Sequence, residues 1–166
     1  TFPQNVYTWL EQAKEPAPWV KLNGDLRMRE VYANNHVTLN HQAAGHEWHF
    51  QRYRSRLGAT LSPTKDIDFD VRFTWEFRNW CEPEGRRHFD GDEVVLDYFN
   101  VKWKNLFGLP ATLTVGRQDI ILEDGWLVLD GTPLDGSRTI FFDAARLQVE
   151  LKDIKTSINL IYIDQH

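Results

Sequence analysis

Between Ile67 and Arg78 the sequence alternates without a fault. Ile67, Phe69, Val71, Phe73, Trp75 and Phe77 are apolar, and Asp68, Asp70, Arg72, Thr74, Glu76 and Arg78 between them are polar. A helix would scatter both sets around its circumference, whereas a strand sends one set to each face. The pattern predicts a strand with one face in an apolar medium and the other in a polar one.

The same period recurs along the chain. Val20, Leu22, Leu26 and Met28 share a face, interrupted by Gly24, opposite Lys21, Asn23, Asp25, Arg27 and Arg29. Tyr53, Leu57, Ala59 and Leu61 oppose Arg52, Arg54 and Arg56, and Phe99, Val101 and Trp103 oppose Tyr98, Asn100, Lys102 and Lys104. Leu113 and Val115 oppose Thr112 and Thr114. Ala145, Leu147, Val149 and Leu151 oppose Arg146, Gln148 and Glu150, and a more mixed seventh strand covers Thr156 to Ile163. Several approach the ~9–11 residues that a tilted strand needs to cross a bilayer. The connections Ser62 to Asp66, Asn105 to Pro110 and Lys152 to Lys155 are short; Tyr32 to Trp48, Asn79 to Asp92 and Asp119 to Arg138 are long. Short turns alternating with long loops predict an all-β fold, an antiparallel up-and-down transmembrane β-barrel with its turns in the periplasm. Trp19 and Trp103 near the turns, with Trp75, Phe77 and Trp80 near the loops, fit the aromatic girdles of such a barrel. A soluble β-sandwich or lipocalin-like module, with these rings in its core and a carbohydrate or apolar ligand bound, is the alternative that the pattern leaves open.

Residues 1–18 read as a periplasmic segment. Within it a short helix is expected from Asn5, as its cap, to Lys14, ending before Pro16-Ala17-Pro18. Residues 19–166 read as the N-terminal part of the barrel. Bacterial single-chain barrels have even strand numbers, so seven strands are expected to be a fragment or the ordered part of a longer chain. A third possibility is a partly ordered chain in a larger assembly, because an open sheet leaves two unpaired edges. No apolar run of ~18 residues predicts a membrane helix. The start lacks a signal-peptide pattern, so an exported protein would be met here in mature or trimmed form. The lone Cys81 excludes an internal disulfide framework, and a net charge of −5 argues against nucleic acid as a partner.

Residues Asp92 to Asp143 resemble the alginate export (porin-type) family of outer-membrane proteins. The resemblance is carried by Val95-Leu96-Asp97-Tyr98, Val101-Lys102-Trp103, Leu113-Thr114-Val115-Gly116-Arg117-Gln118-Asp119, the following Gly-Trp, and Arg138 through Leu147. Trp19 to Arg29 is similar to the family's first barrel strand. The likeness covers most of residues 19 to 163. It implies a porin-sized single-chain barrel, of which this chain is less than half, located in the bacterial outer membrane. It also implies traffic in an anionic polysaccharide, although members need not share alginate as cargo.

The polar faces carry the chemistry. Lys21, Arg27, Arg29, Arg52, Arg54, Arg56, Arg72, Arg78, Lys102, Lys104 and Arg146 would line the interior, with fewer acids: Asp25, Asp68, Asp70, Glu76 and Glu150. A wall of one sign concentrates counter-ions, and the planar guanidinium suits carboxylates. The expected function is a porin-like channel passing an anionic polysaccharide, saccharide or other small anion; the expected partners are that anion and outer-membrane lipid. Periplasmic or oligomeric partners are left open. The plainer reading is that the arginines pair with Asp68, Asp70 and Glu76 across strands, at ~0.2–1 kcal/mol a pair. Arg117 falls on the apolar face unless Gly116 marks a bulge that turns it inward, the version favoured from sequence.

No cofactor is expected and no enzyme. His36, His41, His46 and His49 match no common zinc spacing. Asp90-Gly91-Asp92 lacks the remaining ligands of a calcium loop, and Asp68, Asp70 and Glu76 are unaccompanied by any nucleophile motif. The apolar run Trp126 to Leu129 marks Asp119 to Arg138 as the loop expected to fold inward.

Overall fold

The computed structural model describes residues 4–35, 39–40, 42–82, 93–122, 125–126, 128–129 and 140–164. His36, His41, Asp90-Gly91-Asp92 and Leu127 lie outside the described residues. A helix, α1 (Gln4–Lys14), is followed by strands β1 (Val20–Asn34), β2 (Glu47–Leu61), β3 (Ile67–Glu82), β4 (Val94–Trp103) and β5 (Ala111–Gln118). Two short strands, β6 (Ile121–Leu122) and β7 (Val128–Leu129), precede β8 (Phe142–Leu151) and β9 (Thr156–Ile163). The fold is mostly antiparallel β. Seven strands form one sheet in the order β1-β2-β3-β4-β5-β8-β9, which is not closed, and β6 and β7 pair separately.

The alternating segments are strands, but several run further than their patterns suggest. β2 starts at Glu47 rather than near Arg52, and β3 continues through Glu82 rather than stopping at Asn79. In these extensions Trp48 and Phe50 fall on the side of Arg52, Arg54 and Arg56, and Trp80 on the side of Arg72 and Arg78, so the alternation changes phase and could not simply be continued. The loop expected from Tyr32 to Trp48 is correspondingly shorter: Asn35, with a left-handed φ of 55°, donates its N–H to His46 O at 2.7 Å. The helix starts at Gln4, so Asn5 is its second residue and not its cap.

The chain divides into two units. One comprises Thr1–Asn23, Leu57–Phe73 and Leu96–His166; the other comprises Gly24–Arg56 and Thr74–Val95. In the first, β5 and β8 pair from Ala111↔Val149 to Gln118↔Phe142, and β8 and β9 pair from Ala144↔Ile163 to Leu151↔Thr156. The turns are fitted to their sequence. Thr64 Oγ1 accepts from the N–H groups of Asp66 and Ile67 (3.3 and 3.1 Å). Asn105, Phe107 and Gly108 are left-handed in the second turn and Lys155 in the third, a conformation that glycine and asparagine tolerate well and phenylalanine and lysine less so.

Both units invert the usual burial of amphipathic strands. In the first, Asp68, Asp97, Asn100, Thr114 and Gln118 are buried, while Leu22, Phe69, Phe73, Phe99, Val101 and Leu160 are exposed. In the second, Arg52 and Thr74 are buried, while Leu26, Met28 and Trp75 are exposed. Ordinary soluble domains bury the apolar set and hydrate the charged one.

Two expectations are corrected here. Gly116 is not a bulge: both ladders pass through it in unbroken register, Asn100↔Gly116 on one side and Gly116↔Ala144 on the other. Arg117 therefore stays on the face of Val115, near the end of the strand. There it donates to Asp143 (2.9 and 3.0 Å) and to Leu96 O (2.8 Å), and lies 3.7 Å from the Phe141 ring centroid. A carboxylate partner and a ring satisfy the guanidinium where it stands, so no inward turn is needed. Gly116 serves close approach instead: its φ is +118°, and a Cβ would overlap the Phe99 carbonyl oxygen and crowd Asn100 Cα at 3.0 Å. Replacing Gly116 with Ala is expected to cost more than about 1 kcal/mol, read as a lower denaturant midpoint. An unchanged midpoint would mean that the β4 backbone yields freely. The second correction concerns Trp80, expected in an outer girdle. It is buried, and its ring lies 5.3 Å from the Arg78 guanidinium and 4.6 Å from the Phe50 ring. Residue parity along β3 puts it beside Arg78, opposite Trp75 and Phe77.

Candidate functional site: the basic faces of the strands

The basic residues expected to share one role fall into two groups, one in each unit. In the first unit every one of them meets a nearby acceptor. Lys104 Nζ is 3.0 Å from Asp68 Oδ2, and Lys102 Nζ is 3.3 Å from Asp70 Oδ2. Asp68 also accepts from Ser62 Oγ at 2.7 Å. Arg146 donates twice to Asn159 Oδ1 (3.0 and 2.8 Å), and exposed Lys21 reaches Glu15 at 3.3 Å.

Arg72 is the most strongly held. Its Nε donates to both oxygens of Asp97 at 3.1 Å, its Nη2 to Asp97 Oδ2 at 2.8 Å, and the same Nη2 to Asp119 Oδ2 at 2.8 Å. The Tyr98 ring centroid lies 5.1 Å from the guanidinium carbon. Asp68, Asp70 and Glu76 were the expected partners for this arginine; Asp97 and Asp119 take that role. Asp97 was missed because strict alternation would place it with exposed Phe99. The alternation shifts by one residue there, so that Asp97 and Asn100 are both buried while Phe99 and Val101 are exposed. An isolated carboxylate at an apolar-face position was the signal that could have revealed it.

The second unit has a different charge balance. The polar faces of its strand segments carry Arg27, Arg29, Arg52, Arg54, Arg56 and Arg78. The carboxylates sharing those faces are Asp25, Glu76 and, at the last residue of β3, Glu82. Arg54 donates to Asp25 at 3.1 Å. Arg52, only 8% exposed, experiences the like charges of Arg78, Arg27 and Arg29 and the opposing charge of Glu76. Arg27 likewise experiences Arg54 and Arg29 against Glu76 and Asp25. Aromatic rings flank the cluster: the Arg78 guanidinium is 4.5 Å from the Phe50 ring centroid, and Trp48 meets Trp80 edge-on at 5.6 Å. Arg54 Nε is buried without a hydrogen-bond partner. Guanidiniums in excess, held near one another by the sheet, repel, and an anion entering among them relieves that repulsion.

The remaining sequence candidates are placed as follows. His49 Nε2 is 2.9 Å from Glu30 Oε1, and His46 Nδ1 is 3.0 Å from Ala43 O. Cys81 is exposed. Trp126, in the loop expected to fold inward, is 84% exposed, whereas Ile120 at the start of that loop is fully buried. The Val115-Gly116-Arg117-Gln118 motif has an architectural part: beyond the contacts of Gly116 and Arg117, buried Gln118 donates to the carbonyl oxygens of Gly116 (3.2 Å) and Ala144 (3.0 Å). No protein-family model matches the chain, and no curated protein or solved structure shows a significant similarity to it.

Proposed function

We propose that the chain is part of a bacterial outer-membrane β-barrel, akin to the alginate export family, whose basic interior passes an anionic saccharide or another small anion. The observation that carries this reading is the inverted burial, with carboxylates and guanidiniums covered and phenylalanine, leucine and tryptophan exposed along the same strands. Lipid is the medium in which such a face is stable, because bilayer-facing positions of a barrel strand are apolar and interior ones polar. Strands of 15 and 16 residues at β1 to β3 are longer than the ~9–11 needed for a tilted crossing. Anion preference is assigned to the second unit, where guanidiniums outnumber carboxylates; in the first unit the bases are largely compensated.

The first test is cellular. The full-length protein, exported in a Gram-negative host, should be recovered in the outer membrane and migrate differently on a gel when unheated. Soluble recovery without that shift would overturn the reading. The second test is electrical. A unit charge at about 7 Å in water contributes about 0.6 kcal/mol, and screening at ~0.15 M salt removes roughly half of it. Replacing Arg52, Arg54 and Arg56 with Gln should therefore lower anion permeability about fivefold and raise cation permeability by a similar factor, so that the anion-to-cation ratio falls about twentyfold. Replacing Lys102 with Gln together with Asp70 with Asn removes a neutral pair and should leave the ratio nearly unchanged. Equal effects of the two sets would remove the arginine cluster from the pathway.

A further inference from the structure

The chain leaves β5 at Gln118, and the next two residues are held down. Asp119 Oδ2 accepts from Arg72 Nη2 at 2.8 Å, and Ile120 is fully buried. The β6–β7 ladder follows at once, with Ile121 opposite Leu129 and Leu122 opposite Val128. Upstream, Gln118 is fixed by its amide to Ala144 O at 3.0 Å. Arg72 cannot readily swing away, because buried Asp97 grips it through Nε and Nη2. Two carboxylates on one guanidinium leave a surplus negative charge, and Asp119 Oδ1 is itself buried without a hydrogen-bond partner. Asp97 alone would neutralise Arg72, so charge balance does not account for the second carboxylate. Its geometric effect is to tie the base of the hairpin to β3.

We infer that Arg72 is a positioning residue, a clasp that seats the base of the β6–β7 hairpin on the polar face of the strands and so narrows the passage running along that face. The narrowing rests on the channel reading; the seating does not. Arg72 thereby acts through Asp119 and Ile120, and is not itself a stop for the passing anion.

The test uses Asp119→Ala, which leaves the Arg72–Asp97 pair in place and so spares the fold, with Asp119→Glu as the conservative rescue. In the detergent-solubilised full-length protein, amide exchange of residues 119–122 should quicken about tenfold in Asp119→Ala, with β8 and β9 unchanged and Asp119→Glu close to wild type. Single-channel conductance should rise in Asp119→Ala and return in Asp119→Glu. Unchanged exchange would overturn the clasp. Faster exchange at unchanged conductance would overturn the narrowing. Absence of current from wild type and variant alike would remove the channel and the narrowing together, while the exchange comparison would still decide the seat.

Discussion

Replacing Asp97 with Ala is expected to destabilise the fold by about 3 kcal/mol, the low end of the ~3–5 kcal/mol for breaking a buried ion pair from one side. The loss is large because the Arg72 side chain is only 19% exposed and would stay charged after losing its bidentate partner. Asp119, at 2.8 Å, remains to hold part of that charge and keeps the loss at the low end. Asp97→Asn should cost less, since an amide oxygen can still accept from Nε. The double replacement of Arg72 with Met and Asp97 with Leu should recover part of the loss, because it removes the guanidinium together with its buried partner and leaves only the Asp119 carboxylate, 28% exposed, to be hydrated. Denaturant midpoints of the full-length protein in detergent would measure all three. A cost below about 1 kcal/mol for Asp97→Ala would show that water reaches the guanidinium freely.

The second large effect is expected at Phe73, midway along β3 and 48% exposed. In a bilayer an arginine on the lipid-facing side of a strand costs about 2–4 kcal/mol at mid-depth. On a water-facing surface the same change would stay within about 0.5 kcal/mol. Phe73→Arg therefore separates the two media: folding yield into lipid vesicles should drop sharply, whereas a soluble protein would tolerate the change. Leu22, exposed and only two residues from the start of β1, can be compared to see whether the cost is smaller near a strand end. Tolerance at Phe73 would turn the search toward a soluble β-domain.

Period-two alternation was enough to locate the strands of the seven-stranded sheet and to separate their faces, because each strand's own residues set which side is apolar. It failed where aromatic residues occupy the basic face, as at Trp48, Phe50 and Trp80, because the apolar set there changes sides. The charge pairing was harder to read. Alternation says that Arg72 and Lys102 share a kind of face; it does not say which carboxylate each will meet, since that depends on the stagger of neighbouring strands. The one-residue shift at Asp97 brought an acid from the apolar side into the buried set, and Asp119 lies beyond the end of a strand. The split between compensated bases in one unit and guanidiniums in excess in the other was invisible for the same reason.

The pairs Lys104–Asp68 and Lys102–Asp70 on neighbouring strands β4 and β3 also have a meaning for assembly. They work as a parity check on the stagger of two strands whose apolar sides alone would accept any shift by an even number of residues. Sliding β4 by two residues in one direction gives Arg72 the place beside Lys102 that Asp70 now holds, base against base. Sliding it in the other direction gives Asn100 the place beside Asp70 that Lys102 now holds. A nascent pair of strands can thus recognise a wrong alignment before the rest of the sheet has formed around it, and can come apart while the mistake is still cheap to undo.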